Sequence, residues 1–395
     1  MPERYLDEIE SQIDEPRTFA LEYVGDVDDS ALLKAFRSLC CNNPVLCGRI
    51  ETSSCGKLLY TSPSHDVTIK SIDGDKGTLW QFAHSDWDSA RAVAELAHIR
   101  KPGSGYIALR ITHAIVDGAA FISYLVELLE HYTNIMDGLD TRVEPNPVLP
   151  KRPSDLIRER WESTQSFQSF SGPVASVSGV IFKSLKFSTS ATSNVARWAR
   201  LNKLSVNSFV GSAVALGLHR LKHSGCESLP VNVLYPVNLR RHVSPVVDPT
   251  ESTNFVGLSI ASFEISRAST VHSIARDFHA QIRSNTMNRN IAVPSREGML
   301  SPQGLAPRVP LGLNFGLSGQ GILPELQHPD ELRYVDLLRP PPVRIRSNND
   351  GEYVVYTFRG SLTIDLRLSD DVFEHAEASS LSGYIKEEID RATTT

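Results

Sequence analysis

The sequence contains no apolar run near the ~18 residues that a membrane-spanning helix needs, so no membrane span is predicted. It has no basic excess either: 40 Lys and Arg face 46 Asp and Glu, a net charge of −6. A nucleic-acid binder needs cations to displace counterions from phosphate, and this balance argues against one. Arg240-Arg241-His242 is left as a local anion-site candidate. Cysteine is scarce and odd in number: Cys40, Cys41, Cys47, Cys55 and Cys226, with no Cys-x2-Cys unit. Neither a zinc site nor a disulfide framework is expected from that spacing, and the thiols read as the reduced cysteines of a cytoplasmic protein. The start, Met1-Pro-Glu-Arg, lacks the shape of a secretory signal. No Walker-type loop or dinucleotide fingerprint occurs, so no bound cofactor is expected. His219 and His223 lie one helical turn apart, but no third ligand accompanies them; they read as a solvated helix end rather than a metal site.

A chain of 395 residues is too long for one ordinary core, and two domains of roughly 200 residues each are predicted. Strand-like runs at residues 18–24, 47–51, 57–60 and 106–112 mix with helical spacing at 31–41, 88–99 and 119–132. Residues 140–185 change character. Pro145, Pro147, Pro150 and Pro153 cluster, a short charged helix follows at 155–161, and a Ser/Gly-rich stretch runs to Gly179. That reads as a crossing between domains. Strands at 180–187, 229–237, 255–265 and 310–317 then alternate with helices at 193–201, 206–221 and 270–284. A strand pair split by Gly360 and a terminal helical region close the chain. The expected division is residues 1–170, a linker at 171–184, and residues 185–395. Mixed strands and helices of similar size in both halves suggest two α/β sandwiches of related plan.

The stretch that carries chemistry is His113-Ala-Ile-Val-Asp117-Gly118. Chance would supply His-x3-Asp-Gly about 0.04 times in a chain of this composition. It follows a β-like run and precedes a strongly helical one, so the imidazole is predicted at a strand end and the carboxylate at a helix entrance. A free imidazole has a pKa near 6.5 and is mostly neutral at pH 7. Its free nitrogen can take a proton from an alcohol or amine attacking a carbonyl, which is worth roughly 10²–10⁴ in rate. Asp117 has two possible roles. It can hydrogen-bond the imidazole as in a triad, or it can clamp the turn by pairing with an arginine. The short spacer and Gly118, which lets the chain turn sharply, favour the clamp. The plain alternative is a half-buried histidine with Asp117 as a helix N-cap.

Thr112-His113-Ala-Ile-Val-Asp117-Gly118-Ala119 resembles the signature of the CoA-dependent acyltransferase superfamily. That group includes chloramphenicol acetyltransferases, plant-type BAHD acyltransferases, polyketide-associated acyltransferases and peptide-synthetase condensation domains. The likeness runs in order along nearly the whole chain: residues 20–50, Ser205-Val-Asn-Ser-Phe-Val-Gly-Ser-Ala213, Val231-Asn-Val-Leu-Tyr-Pro-Val-Asn-Leu-Arg240, Asn254-Phe-Val-Gly257 and residues 353–380. The resemblance implies two chloramphenicol-acetyltransferase-like α/β sandwich domains with a tunnel between them, His113 being the base within it. It implies that Asp117 is structural and held by Arg240 from the second domain, whose planar fork can meet a carboxylate with two hydrogen bonds. Arg241 is the weaker candidate, because strand alternation puts it on the opposite face.

Two departures narrow the subgroup. Condensation domains carry two histidines before the spacer, and Thr112 stands in place of the first, which speaks against peptide-bond formation. The BAHD motif Asp-Phe-Gly-Trp-Gly is absent, and Asn314-Phe315-Gly316 is the nearest analogue; an ordinary strand with a Gly bulge reads it equally well. The oxyanion of a tetrahedral intermediate needs a donor, for which Asn314, Ser318 or a backbone N–H is a candidate. The expected function is transfer of an acyl group from an acyl-CoA or acyl-carrier-protein thioester to a hydroxyl, less readily an amine, of a small secondary-metabolite or lipid acceptor. The expected protein is a monomer, and the thioester is a co-substrate rather than a cofactor. The alternative is a condensation-domain-like protein that is no acyltransferase: a cyclisation catalyst, or an inactive scaffold that binds a carrier-bound intermediate.

Overall fold

The computed structural model describes residues 3–11, 15–62, 67–139, 143–161, 177–287, 291, 312–346 and 350–394. The chain forms two compact units, and neither is contiguous in sequence. The first comprises Met1–Thr164, Asn238–Phe255 and Pro324–Pro342; the second comprises Gln165–Val237, Val256–Leu323 and Val343–Thr395. The two later segments that return to the first unit were not legible in the sequence. Of the expected linker at 171–184, residues 171–176 lie outside the described residues, and 177–184 belong to a strand. Ladder pairing with a neighbouring strand overrides the Ser/Gly composition there.

The first unit contains β1 (Glu3–Tyr5), α1 (Glu8–Ser11), β2 (Pro16–Val24), α2 (Asp29–Asn42), β3 (Gly48–Ser53), β4 (Gly56–Thr61), β5 (Ile69–Asp73), α3 (Lys76–His84), β6 (Ala94–Lys101), β7 (Ser104–Thr112), α4 (Gly118–Met136) and α5 (Pro153–Arg160). The second contains β8 (Val177–Lys186), α6 (Thr189–Leu201), α7 (Val206–Lys222), most of β9 (Ser228–Asn238), β10 (Val256–Ser266), α8 (Val271–Met287) and β11 (Leu313–Ile322). The chain returns to the first unit for β12 (Arg333–Leu338). It ends in the second with β13 (Arg344–Arg346), β14 (Glu352–Phe358), β15 (Ser361–Ser369) and α9 (His375–Thr394).

The main sheet of the first unit has the order β12-β2-β7-β6-β5, and a smaller sheet runs β1-β4-β3. β7 is central and lies antiparallel to both β2 and β6. Its residues are almost all buried, because the sheet is covered on both faces. On one face Leu79 and Phe82 of α3 meet Ala20, Ala97 and Ala108. On the other, Phe121 of α4 stacks on Phe19 with ring centroids 4.1 Å apart. This double cover explains one misreading: residues 88–99, expected as a helix, contain a turn and then β6. A strand buried on both sides loses its period-two alternation and is easily mistaken for a helical run. α3 was missed, although Asp75 and Thr78 form a capping box at its start.

The second unit is a sheet of order β10-β9-β11-β14-β15-β8-β13. Its core joins Phe209 of α7, Phe278 of α8 and Leu381 of α9 to Val233, Phe315 and Ile364 of the strands. Both units are α/β sandwiches, as the mixed strand and helix pattern predicts. All five cysteines are free thiols. Among the described residues no helix is long and apolar enough to cross a membrane.

β7 carries His113 at its far end, so its register matters. Gly105, opposite Tyr23, leaves no room for a side chain: an added Cβ would fall on the Ile99 carbonyl oxygen and the Tyr23 hydroxyl. Tyr23 cannot easily step aside, since its hydroxyl is bonded to His98 Nε2 at 2.5 Å. Gly105→Ala is therefore expected to destabilise the protein by about 1–3 kcal/mol, as overpacking does. The check is the denaturant midpoint; an unchanged midpoint would mean that the sheet shifts to admit the methyl group.

Candidate active site

The ladder of β7 continues one residue past Thr112. Thr112 N donates to Val93 O and His113 N to Glu15 O, each at 2.9 Å. The chain then turns and enters α4 at Gly118, with Asp117 as the N-cap. His113 is thus held by its own backbone at the strand end, as the sequence pattern predicts.

The side chain of His113 points its Nδ1 at the Val116 carbonyl oxygen, 2.6 Å away. A carbonyl only accepts, so the neutral ring carries its proton on Nδ1. Nε2 is left with the lone pair. Asn254, itself buried, donates from Nδ2 to the His113 carbonyl oxygen at 3.1 Å. The same amide nitrogen lies 3.4 Å from Nδ1, but two donors do not bond, and the carbonyl is its partner. The residue as a whole is partly exposed. Burial of the imidazole nevertheless pushes its pKa down from 6.5 to about 4, with the Arg17 guanidinium acting in the same direction. The Val116 carbonyl and the more distant charge of Asp117 oppose this without reversing it. The imidazole is neutral at pH 7.

Asp117 does not bond the imidazole. Its Oδ1 accepts from Ala119 N and Ala120 N, both at 3.0 Å, which caps α4. Its Oδ2 accepts from Phe255 N at 2.8 Å and from Arg240 Nη1 at 2.5 Å. The carboxylate is full. The N-cap and the clamp, posed as alternatives, are both present, and the triad arrangement is not. Arg240 is engaged through both terminal nitrogens, its Nη2 donating to Pro249 O at 3.1 Å and to Thr253 O at 2.9 Å, while its buried Nε has no hydrogen-bond partner among the described residues. The expected two-toothed grip on the carboxylate is therefore a single hydrogen bond, because the second nitrogen is spent on backbone carbonyls. Arg240 was expected from the second domain. It lies in the segment Asn238–Phe255, which belongs to the first unit.

The comparisons with known proteins are consistent along the chain. Residues 177–367 match the family described as phthiocerol/phthiodiolone dimycocerosyl transferase C-terminus. The phthiocerol/phthiodiolone dimycocerosyl transferase of Mycobacterium leprae is 24% identical, covering 94% of this chain and 89% of its own. Its namesake from Mycobacterium tuberculosis (strain ATCC 25618 / H37Rv) is 25% identical over 92% and 87%. Among solved structures, polyketide synthase associated protein 5 from Mycobacterium tuberculosis superposes with a TM-score of 0.79 at 22% identity, covering 99% of this chain and 98% of that one. The first condensation domain of the calcium-dependent antibiotic synthetase gives 0.72 at 14% identity, over 99% and 97%. These matches support the resemblance to the CoA-dependent acyltransferase superfamily, and the named relatives indicate an acyltransferase. The fold of the chain is that of the condensation domains, two chloramphenicol-acetyltransferase-like lobes.

The other residues expected to matter in this acyltransferase fall as follows. Gly118 is the first residue of α4 and is not among the positive-φ residues, so the turn does not call on a left-handed glycine. Arg241 is exposed, but not through strand alternation: Leu239–Arg241 is a single 3₁₀ turn, capped by Asn238. Asn314 and Ser318 lie on β11 of the second unit. The Asn314 side chain accepts from Asn232 Nδ2 at 3.0 Å and donates to Gly312 O at 3.2 Å. Ser318 Oγ accepts from Gln320 Nε2 at 3.5 Å. His219 is buried rather than solvated, and among the described residues no group of three or more His, Cys, Asp or Glu is placed to hold a metal ion. Two groups escaped the sequence reading. No side-chain pattern announces the Val116 carbonyl. Asn254 was visible only as one letter of Asn254-Phe-Val-Gly257.

Removing one member of a buried ion pair leaves the other charge unmatched, typically at about 3–5 kcal/mol. Asp117→Ala and Arg240→Ala are each expected to lower stability on that scale, and the double variant by less than their sum. Denaturant unfolding of the three proteins measures it; additive losses would mean that the two side chains act independently.

Proposed function

We propose that this acyltransferase moves an acyl group from a thioester, acyl-CoA or acyl-carrier protein, to a hydroxyl of a small lipid or secondary-metabolite acceptor, with His113 as the general base. The observation that carries the reading is the tautomer: Nδ1 is committed to the Val116 carbonyl, so Nε2 is free to accept a proton. In the proposed step Nε2 takes the acceptor proton as the oxygen attacks the thioester carbon. The tetrahedral intermediate then collapses, the C–S bond breaks, and the imidazolium returns the proton to the leaving thiolate. The acceptor becomes an ester and the donor a free thiol. The step calls on no cofactor.

Two considerations support an oxygen acceptor of lipid character. The relatives are named phthiocerol/phthiodiolone dimycocerosyl transferase, and Thr112 replaces the first histidine of condensation domains. For the oxyanion, Asn314 and Ser318 remain proposals on chemistry alone. Ser318 keeps its hydroxyl hydrogen while accepting from Gln320. One of the two amide hydrogens of Asn314 is committed to Gly312.

The test is thiol release from a panel of acyl-CoAs, acetyl to palmitoyl, offered with primary and secondary aliphatic alcohols. His113→Ala is expected to reduce transfer by roughly 10²–10⁴-fold while leaving the unfolding curve intact. Near wild-type transfer in that variant would remove the base assignment, and no thiol release from the wild type would favour a binding module instead.

The pH dependence follows from the depressed pKa. A folded-state value of about 4 keeps the base unprotonated through pH 6, so kcat/KM should stay level from pH 7 downward and fall only as pH 4 is approached. The unfolded chain binds the proton that the folded ring refuses, so this histidine also makes stability decline as pH drops from about 6.5 to about 4. An acid limb centred near 6.5 would contradict both statements.

A further inference from the structure

We infer that the buried carboxylate of Glu10 is a positioning residue for His113, acting through Thr253 and Asn254. The starting observation is the run Glu251–Phe255. Each of its residues is tied to a different part of the first unit. Glu251 pairs with Arg160 of α5. Ser252 Oγ donates to Lys151 O at 3.0 Å. Thr253 Oγ1 donates to Glu10 Oε1 at 2.6 Å, across 243 positions of sequence. Asn254 holds the His113 carbonyl, and Phe255 N holds Asp117. The run is a strap whose last two residues are bonded to the His113–Gly118 turn, and Ser252, Thr253, Asn254 and Phe255 are all buried.

Within the strap Thr253 is the node. Its hydroxyl reaches Glu10 and its carbonyl accepts from Arg240, so the residue beside Asn254 is fixed from two sides. Glu10 is a firm anchor. Its side chain is fully buried, and it accepts from both Arg4 Nη atoms and from Asp7 N as well as from Thr253. A buried carboxylate satisfied by this many donors cannot drift without exposing a charge. The anchor reaches the base in two steps: Glu10 sets Thr253, and Thr253 sets the neighbouring Asn254, whose amide holds the His113 backbone. Displacements of about 1 Å transmitted in this way can lower a rate by as much as 10²-fold. Glu10 touches neither substrate nor imidazole, and neither does Thr253.

This inference rests on the proposed role of His113 as base, and its test is chosen to fail separately. Full-length protein is labelled with 13C at the histidine rings, and the His113 signal is identified by its loss in His113→Ala. Two variants are compared with wild type: Thr253→Val, which keeps the shape and removes the hydroxyl, and Glu10→Gln, which keeps the size and removes the charge. Arg17 and Asp117, the charged groups that act on the ring, are untouched in both. A loosened strap admits water, so the His113 titration midpoint is expected to rise by about one unit toward the free value of ~6.5. Thiol release from palmitoyl-CoA is expected to fall about tenfold in kcat with KM little changed. Should Glu10→Gln fail to fold, Thr253→Val carries the test alone. A folded Thr253→Val protein with the wild-type midpoint and kcat overturns the inference, leaving Glu10 a purely structural residue. If His113→Ala itself retains transfer, the base assignment fails whatever the midpoints do.

Discussion

The site is organised by the buried contact between Asp117 and Arg240. Two opposite charges out of water must each be matched, or the fold cannot bear them. Asp117 meets the demand by collecting donors from the start of α4, from Phe255 and from Arg240; Arg240 meets most of it by spending its second nitrogen on two carbonyls, though its buried Nε has no partner among the described residues. This has a direct chemical result. A carboxylate so occupied is not available to the neighbouring imidazole. His113 takes its orientation from a neutral carbonyl instead, which selects a tautomer without placing a negative charge against the ring. A triad aspartate would favour the imidazolium; a carbonyl does so less, and burial then prevails. The low pKa of His113 and the structural character of Asp117 are two sides of one arrangement.

A base of lowered pKa is fully available at neutral pH but is intrinsically weaker. In the proposed reaction that would suit a thioester, whose carbonyl carbon is reactive enough that the base need only guide the proton while the C–O bond forms. It would equally suit the proposed alcohol acceptor, which would carry its proton into the transition state. The family reading and the site geometry thus bear on different questions. The similarity to known acyltransferases and condensation domains concerns the fold and the class of transfer. The hydrogen-bond pattern around His113 concerns which nitrogen can do the work.

Much of this was legible from residues alone, and the remainder was not for identifiable reasons. The strand end at His113 and the helix start after Asp117 were readable from the residues, and a buried acid in a short turn called for a cation; that the cation is Arg240 came only from the family resemblance. The number of hydrogen bonds between them was misjudged, since backbone carbonyls at Pro249 and Thr253 compete for the guanidinium and leave no trace in side-chain spacing. β6 was misread as a helix because burial on both faces erases alternation. Asn254, Thr253 and Glu10 went unnoticed for a similar reason: their importance lies in contacts between segments up to 243 positions apart, and one sequence carries no record of such pairings.

The return of two late segments to the first unit bears on how the chain is made. The five-stranded sheet is not complete until β12 pairs with β2, and the clamp on Asp117 is not closed until Arg240 has been synthesised. A ribosome that has produced the first 160 residues has therefore released most of the material of that unit, yet neither its edge strand nor the cation for its buried acid. Folding of the half that bears the histidine must wait for chain emerging far downstream, past most of the other unit. A cut in the gene at the crossover would part the first unit from its own strand β12 and from Arg240, because that unit is not one stretch of the message.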